Sequence, residues 1–225
     1  MPVDPDAEIE ITAFAWVPPF AQGLVRDLRV RWALEEAGLP YRERLLDAMN
    51  ERPEGYLREQ PFGQVPIYSE GDIHMFETGA IVLHIAERSD VLMPRDPAAR
   101  ARAMSWVVAA LNSIEPFIQY VAFIDAFHAK EEWARGAREQ MLEFSKKRLG
   151  RLSDWLGERE YLEHRFTAGD LMMTTMLRIL RHTDVVAEFS NLARYQARCE
   201  ARPAFQRALE AQLAAFEKHK PAEAA

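Results

Sequence analysis

The most constraining feature of this chain is a change of period near residue 90. Before it, apolar residues recur at every second position in short runs; after it, they recur only at three- and four-residue steps. A period of two belongs to a strand and a period of 3.6 to a helix. The chain must therefore join an α/β part to an all-helical part. The join is DVLMPRDPAAR, residues 90–100, which holds two prolines and follows neither period, as a domain boundary does. A length of 225 residues suits one large domain or two small ones.

In the first part, EIEITAFAW (residues 8–16) sets Ile9, Ile11, Ala13 and Ala15 on one face and Glu8, Glu10, Thr12, Phe14 and Trp16 on the other, predicting a strand. After the loop VPPFAQG, Val30, Ala33, Leu34 and Ala37 share one face of a helix that Gly38 stops and Pro40 cannot continue. Tyr41 to Asp47 predict a second strand beyond it, a βαβ unit whose strands run parallel. Residues 48–64 are polar and broken by Pro53, Gly55, Pro61 and Gly63. VPIYS and DIHMF then flank Glu70-Gly71-Asp72 as an antiparallel hairpin, and a helix follows over Glu77 to Arg88.

In the second part, Ala103, Trp106, Val107, Ala110, Leu111, Ile114, Phe117, Ile118 and Val121 predict one long helix bent at Pro116. A second long helix is expected from about Glu131 to Trp155. Thr167-Ala168-Gly169-Asp170 has the form of a capping box, with a hydroxyl at the helix start and a carboxylate three residues on. LMMTTMLRIL behind it is apolar on nearly every face and reads as the centre of the helical part. Shorter helices over Leu192 to Arg202 and Pro203 to Lys218 complete the chain. The expected division is an α/β domain at 1–90, a linker at 91–97 and an all-helical domain at 98–225.

Charge and cysteine usage narrow the function. Lys plus Arg number 28 against 35 for Asp plus Glu, a net −7, which argues against a role built on the phosphate backbone of nucleic acid. MPVDPDAEIE lacks the basic and apolar regions of a leader, and no stretch reads as approaching the roughly 18 apolar residues of a membrane span. The expected location is the cytoplasm, with neither a nucleic-acid nor a membrane partner. Cys199 is the only cysteine, which excludes an internal disulfide, a CxxC pair and a multi-thiolate metal site; within RYQARCEARP it reads as an inert helix residue. His74, His84, His128, His164, His182 and His219 show no HxxxH or similar ligand spacing, so no metal is expected.

Three motifs in order, QVPI at 64–67 before the hairpin, ETGAI at 77–81 and FTAGDLMM at 166–173 opening helices, make the chain resemble the soluble glutathione transferase superfamily over nearly its whole length. It looks like a bacterial-type member of unassigned class. The resemblance implies a thioredoxin-like N-terminal domain carrying a glutathione site, followed by a helical bundle domain that forms the wall of a co-substrate pocket. It also implies a cytoplasmic homodimer, the hairpin and third-helix side of one α/β domain packing on the helical domain of the other, with a role in detoxification.

By the same resemblance, Val65-Pro66 is a cis bond that exposes the Val65 N–H and C=O to the cysteinyl backbone of glutathione. A proline opening a strand explains Pro66 without any ligand. Glu77 and Thr78 match an acid–hydroxyl pair in which a helix N-terminus and the hydroxyl hold the γ-glutamyl carboxylate while the acid takes the ammonium. The family more often has serine where Thr78 stands, and a helix cap with a dipole partner is the structural alternative. Gln64 falls at the glycyl or glutamyl end.

The departure lies in the loop that should activate the sulfur. Family members place Tyr, Ser or Cys at or just after the first strand, and VPPFAQGLVRDLRVR, residues 17–31, has none of them. Upstream of Gln64 the only hydroxyls are Thr12, Tyr41 and Tyr56, none at that position. A thiol near pKa 8.5 needs about 2 units of depression, about 2.7 kcal/mol, to be mostly ionised at neutral pH. A helix N-terminus with one cation supplies that. Aligning Gly38 with the glycine that ends the family's first helix puts Arg26 close to the catalytic cysteine of some bacterial members, so Arg26 is the catalytic candidate; a solvated helix residue is the alternative.

Trp16, Phe20, Phe117 and Tyr120 are candidates for an apolar co-substrate pocket, although core packing uses such residues too. Two functions follow. One is a glutathione-dependent transferase that stabilises the thiolate and directs it at a small electrophilic or apolar co-substrate. The other is a non-catalytic glutathione-transferase-like binding or structural dimer module, which the empty activating position favours.

Overall fold

The computed structural model describes residues 3–222. The chain forms two compact units, Met1–Leu92 with Arg202–Ala225, and Met93–Ala201. The last helix, expected in the helical domain, thus belongs with the α/β unit.

The first unit holds strands β1 (Ile9–Phe14), β2 (Tyr41–Leu46), β3 (Tyr68–Glu70) and β4 (Ile73–Met75), in the order β2-β1-β3-β4. β1 and β2 are parallel from Ile9 opposite Tyr41 to Phe14 opposite Leu46. β3 runs antiparallel to both β1 and β4. Because β1 is central, Ile11, Thr12 and Ala13 are all buried, which two-sided cover requires. With helices α1 (Asp27–Ala37), α2 (Tyr56–Glu59) and α3 (Thr78–Ala86), this is a thioredoxin-like domain. Gly38 ends α1 at φ 68°, with its N–H on Glu35 and the Leu39 N–H on Leu34, the paired bonds of a left-handed stop. At four residues, α2 is too short to show a period, which is why residues 48–64 read only as a broken polar loop.

Helix α9 (Pro203–Lys218) packs on α1 through both apolar and charged contacts. The Trp32 ring, fully buried, meets Phe205 edge-on at 4.8 Å. Arg202 donates to both Glu36 oxygens at 2.6 and 2.8 Å, and Arg207 Nε to Glu35 at 2.6 Å. Periodicity marks α9 as amphipathic; it does not encode which core the apolar face covers.

The second unit contains α4 (Pro97–Ala109), a π-turn (Ala110–Ile114), α5 (Glu115–Phe123), a second π-turn (Ile124–His128), α6 (Glu132–Leu156), α7 (Ala168–Ile179) and α8 (Ser190–Glu200). Pro116 lies in the first turn of α5, and the π-turn ahead of it accommodates the missing N–H. Helix therefore continues without a break from Pro97 to His128. This 32-residue helix is long and apolar enough, by length and composition, to cross a membrane. That corrects the expectation that no stretch comes close. A core helix of a helical domain meets the same criterion, so the helix alone does not identify a span.

α7 is the centre of this unit, with Leu171, Met172, Met173, Met176 and Leu177 fully buried. Its capping box is formed: Thr167 Oγ1 accepts the Gly169 N–H at 3.2 Å, and Asp170 Oδ2 accepts the Thr167 N–H at 2.9 Å. Asp170 Oδ1 also accepts from the Leu162 N–H and the Tyr195 hydroxyl, at 2.9 and 3.0 Å. Burial pushes the Asp170 carboxyl up, and these three bonds to it, with a fourth from the Thr167 hydroxyl to Oδ2 at 3.2 Å, oppose it.

Candidate functional site

Three segments of the first unit converge where the motifs predicted a site. The first is the loop before β3, with a cis Val65-Pro66 bond. A hydrogen-bond relay holds it. The Ile67 N–H donates to Thr12 Oγ1 at 2.7 Å, the Thr12 and Tyr56 hydroxyls lie 3.2 Å apart, and the Tyr56 hydroxyl donates to the Gln64 carbonyl at 2.6 Å. Since the Tyr56 proton is directed to Gln64, the Thr12 hydroxyl is the donor between the two. The Val65 side chain is buried with Leu46, Tyr56 and Ile67. Among the described residues no hydrogen bond uses the Val65 N–H or C=O. The Gln64 side chain is exposed, and Pro66 is buried.

The second segment is the start of α3. Glu77 precedes it at φ 71°, the one non-glycine residue at positive φ among those described. That conformation costs about 1–3 kcal/mol and persists where the surroundings impose it, often at functional sites. No side chain caps α3, so its first N–H groups present the positive end of the helix dipole. Glu77 is exposed, whereas Thr78 is buried and its hydroxyl accepts from Arg29 Nη1 at 3.2 Å. A T-shaped contact between Phe62 and Phe76, 6.3 Å between centroids, brings this segment beside the Val65 loop.

The third segment is the turn into α1. Val25 packs against the cluster that contains Val65. Arg26 is the half-buried cap residue of α1, and its side chain makes no capping bond. Asp27 is buried, with Arg31 Nε at 2.6 Å on one oxygen and Gln212 Nε2 at 2.8 Å on the other. Burial pushes the Asp27 carboxyl up, and the Arg31 charge pulls against it. Arg31 also pairs with Glu43.

No hydroxyl stands at the start of α1. Thr12 and Tyr56 belong to the relay under the Val65 loop, and burial pushes the Tyr41 phenol up to about 12, against the pull of Arg31. Trp16 is half-buried and Phe20 is 53% exposed on the loop that follows β1. In the second unit, Phe117 packs on Phe144 at 6.0 Å under the Arg148 guanidinium, and Tyr120 is 41% exposed beside Phe123. Cys199 is buried in α8. Among the described residues no three His, Cys, Asp or Glu side chains gather as a metal site would need.

Sequence reasoning missed Thr12, Tyr56, Arg29 and Gln212. One of them left a signal: Gln212 lies four residues after Ala208 and three before Ala215, a polar residue on the apolar face of α9. The bonds that join Thr12 to Tyr56 and Ile67, and Arg29 to Thr78, span 44 to 55 residues and leave no local trace.

Residues 21–87 match the family model of the glutathione S-transferase N-terminal domain. A glutathione S-transferase of Silene vulgaris is 28% identical over 198 residues, 80% of this chain and 90% of its own length. One from Hyoscyamus muticus is 26% identical over 177 residues, 73% and 82% of the two chains. Among solved structures, a glutathione transferase family member from Pseudomonas fluorescens pf-5, with two glutathione bound, superposes with a TM-score of 0.80 at 25% identity over 92% of this chain and 93% of its own. A glutathione transferase from Burkholderia graminis, with two glutathione molecules per subunit, gives 0.79 at 26% identity over 91% and 88%. By its matched N-terminal segment, its relatives and its fold, the chain is similar to proteins of the glutathione transferase superfamily.

Proposed function

We propose that this protein is a transferase that binds glutathione, stabilises its thiolate and directs it at a small electrophilic or apolar co-substrate. The observation that carries the reading is the unpartnered Val65 N–H and C=O beside the uncapped start of α3. An extended peptide with a free carboxylate complements both features. In this reading the cysteinyl backbone pairs with Val65 next to Pro66. The γ-glutamyl carboxylate meets the α3 N–H groups and the Thr78 hydroxyl, Glu77 takes the ammonium, and Gln64 faces one end of the tripeptide. The sulfur then lies toward the turn that carries Arg26, whose charge and the α1 dipole favour the thiolate. Trp16 and Phe20, on the loop that follows β1, are offered as co-substrate contacts.

The test is a pH titration of the thiolate ultraviolet absorbance of glutathione with saturating protein, repeated with Arg26→Ala. A bound-thiol pKa well below that of free glutathione supports catalysis, and loss of the shift in the variant assigns it to Arg26. Binding without a shift favours the second reading, a non-catalytic binding or structural dimer module, for which the absence of Tyr, Ser and Cys from residues 17–31 speaks.

A homodimer belongs to the same proposal. Phe62, Ile73 and Phe76 are exposed on the hairpin side, at 67%, 40% and 38%, and apolar side chains so placed suit a covered face.

A further inference from the structure

The geometry points to Gln212, on the last helix, as the residue that positions the turn expected to activate the glutathione thiol; the inference rests on the transferase reading above. Gln212 is fully buried. Its Oε1 accepts the Gly23 N–H at 3.1 Å, and its Nε2 donates to the Val25 carbonyl at 3.3 Å and to Asp27 Oδ1 at 2.8 Å. One amide therefore binds three points of a five-residue turn, from the positive-φ Gly23 to the first residue of α1.

What this turn touches makes the clamp functional. Val25, whose carbonyl Gln212 holds, packs on the apolar cluster that contains Val65. Arg26 is the next residue, and Asp27 opens the helix whose dipole would face the sulfur. Gln212 thus sets the separation between the start of α1 and the backbone groups proposed to hold the cysteinyl unit. Electrostatic stabilisation of a thiolate depends steeply on such a separation, and displacements of about 1 Å change rates substantially. An apolar residue would cover the same helix face without needing partners. A glutamine buried there is sustained only because all three bonds are made to one turn.

The experiment uses the full chain with glutathione itself as the probe. Q212M keeps the volume and removes all three bonds; Q212E keeps the acceptor for Gly23 and sets a carboxylate oxygen against the Val25 carbonyl and Asp27. R207A, which removes an ion pair between α9 and α1 without touching the turn, is the control. In both Gln212 variants the pKa of bound glutathione thiol should rise by about one unit, a roughly tenfold fall in the ratio of thiolate to thiol at a given pH. Glutathione affinity measured at a pH below both thiol pKa values should stay within about twofold, because the peptide-binding groups are untouched. R207A should leave both quantities unchanged. If Q212M fails to fold, Q212E carries the test, with faster amide exchange at Gly23–Asp27 as its second readout. A folded variant that keeps the wild-type thiol pKa overturns the role of Gln212 alone. A wild-type protein that does not depress the pKa overturns the transferase reading and this inference together.

Discussion

At the scale of single residues, the first-unit site depends on groups whose partners are distant in the chain. Thr78 is an example: its hydroxyl meets the Arg29 guanidinium, so the same oxygen that would face a carboxylate is already oriented by a buried cation. Thr78→Ala should weaken glutathione binding about tenfold, the size of one charge-assisted bond, and Thr78→Ser should restore most of it, both read by calorimetry. A second residue-scale prediction concerns Asp125. Burial pushes its carboxyl up, but hydrogen bonds from Arg138 and His182 and their charges outweigh that and hold it below the usual range. A depressed carboxyl stabilises the fold above its unfolded pKa, about 3.9, and that contribution is lost as pH falls through the folded value. Arg138→Ala should therefore raise the pKa of Asp125 and move the acid-unfolding midpoint upward, as followed by helicity against pH. An unmoved midpoint would contradict the assignment.

At the scale of elements, legibility followed the range of the interaction. The capping box of α7 was readable because its partners are three residues apart, as was the glycine stop of α1. The hairpin was expected over VPIYS and DIHMF, yet its paired strands are only Tyr68–Glu70 and Ile73–Met75. Residues 65–67 instead form the loop braced by Thr12, a contact across 55 residues. Gly169 makes the same point for helices. A Cβ there would stand 2.5 Å from the Trp106 Cβ and 3.3 Å from the Ala103 carbonyl, so α7 and α4 approach through this glycine. Gly169→Ala should lower stability by about 1–3 kcal/mol through overpacking, despite the roughly 1 kcal/mol by which alanine favours a helix. The check is a lower denaturant midpoint at unchanged m.

At the scale of the whole molecule, the consequential element is α9. Pairing Glu35 and Glu36 with Arg207 and Arg202, and Asp27 with Gln212, makes the end of the chain part of the α/β unit. A chain ending at Ala201 should accordingly lose amide-exchange protection in α1, while α7 keeps its own. Equal loss in both helices would mean that α9 supports the molecule as a whole. For the proposed homodimer, sedimentation should give twice the 25.9 kDa chain mass, and one species at 25.9 kDa would exclude it.

The change of period, the glycine stop, the capping box and the three ordered motifs were all present in the sequence, because each depends on residues within one or two turns of one another. They determined the two kinds of domain and the places where Val65, Glu77 and Thr78 would stand. Which core α9 covers, and that Gln212 would close on Gly23 across 189 residues, was decided only by the tertiary structure. An apolar period says that a face is buried without saying against what. A buried amide acquires its meaning from the donors and acceptors that folding brings to it.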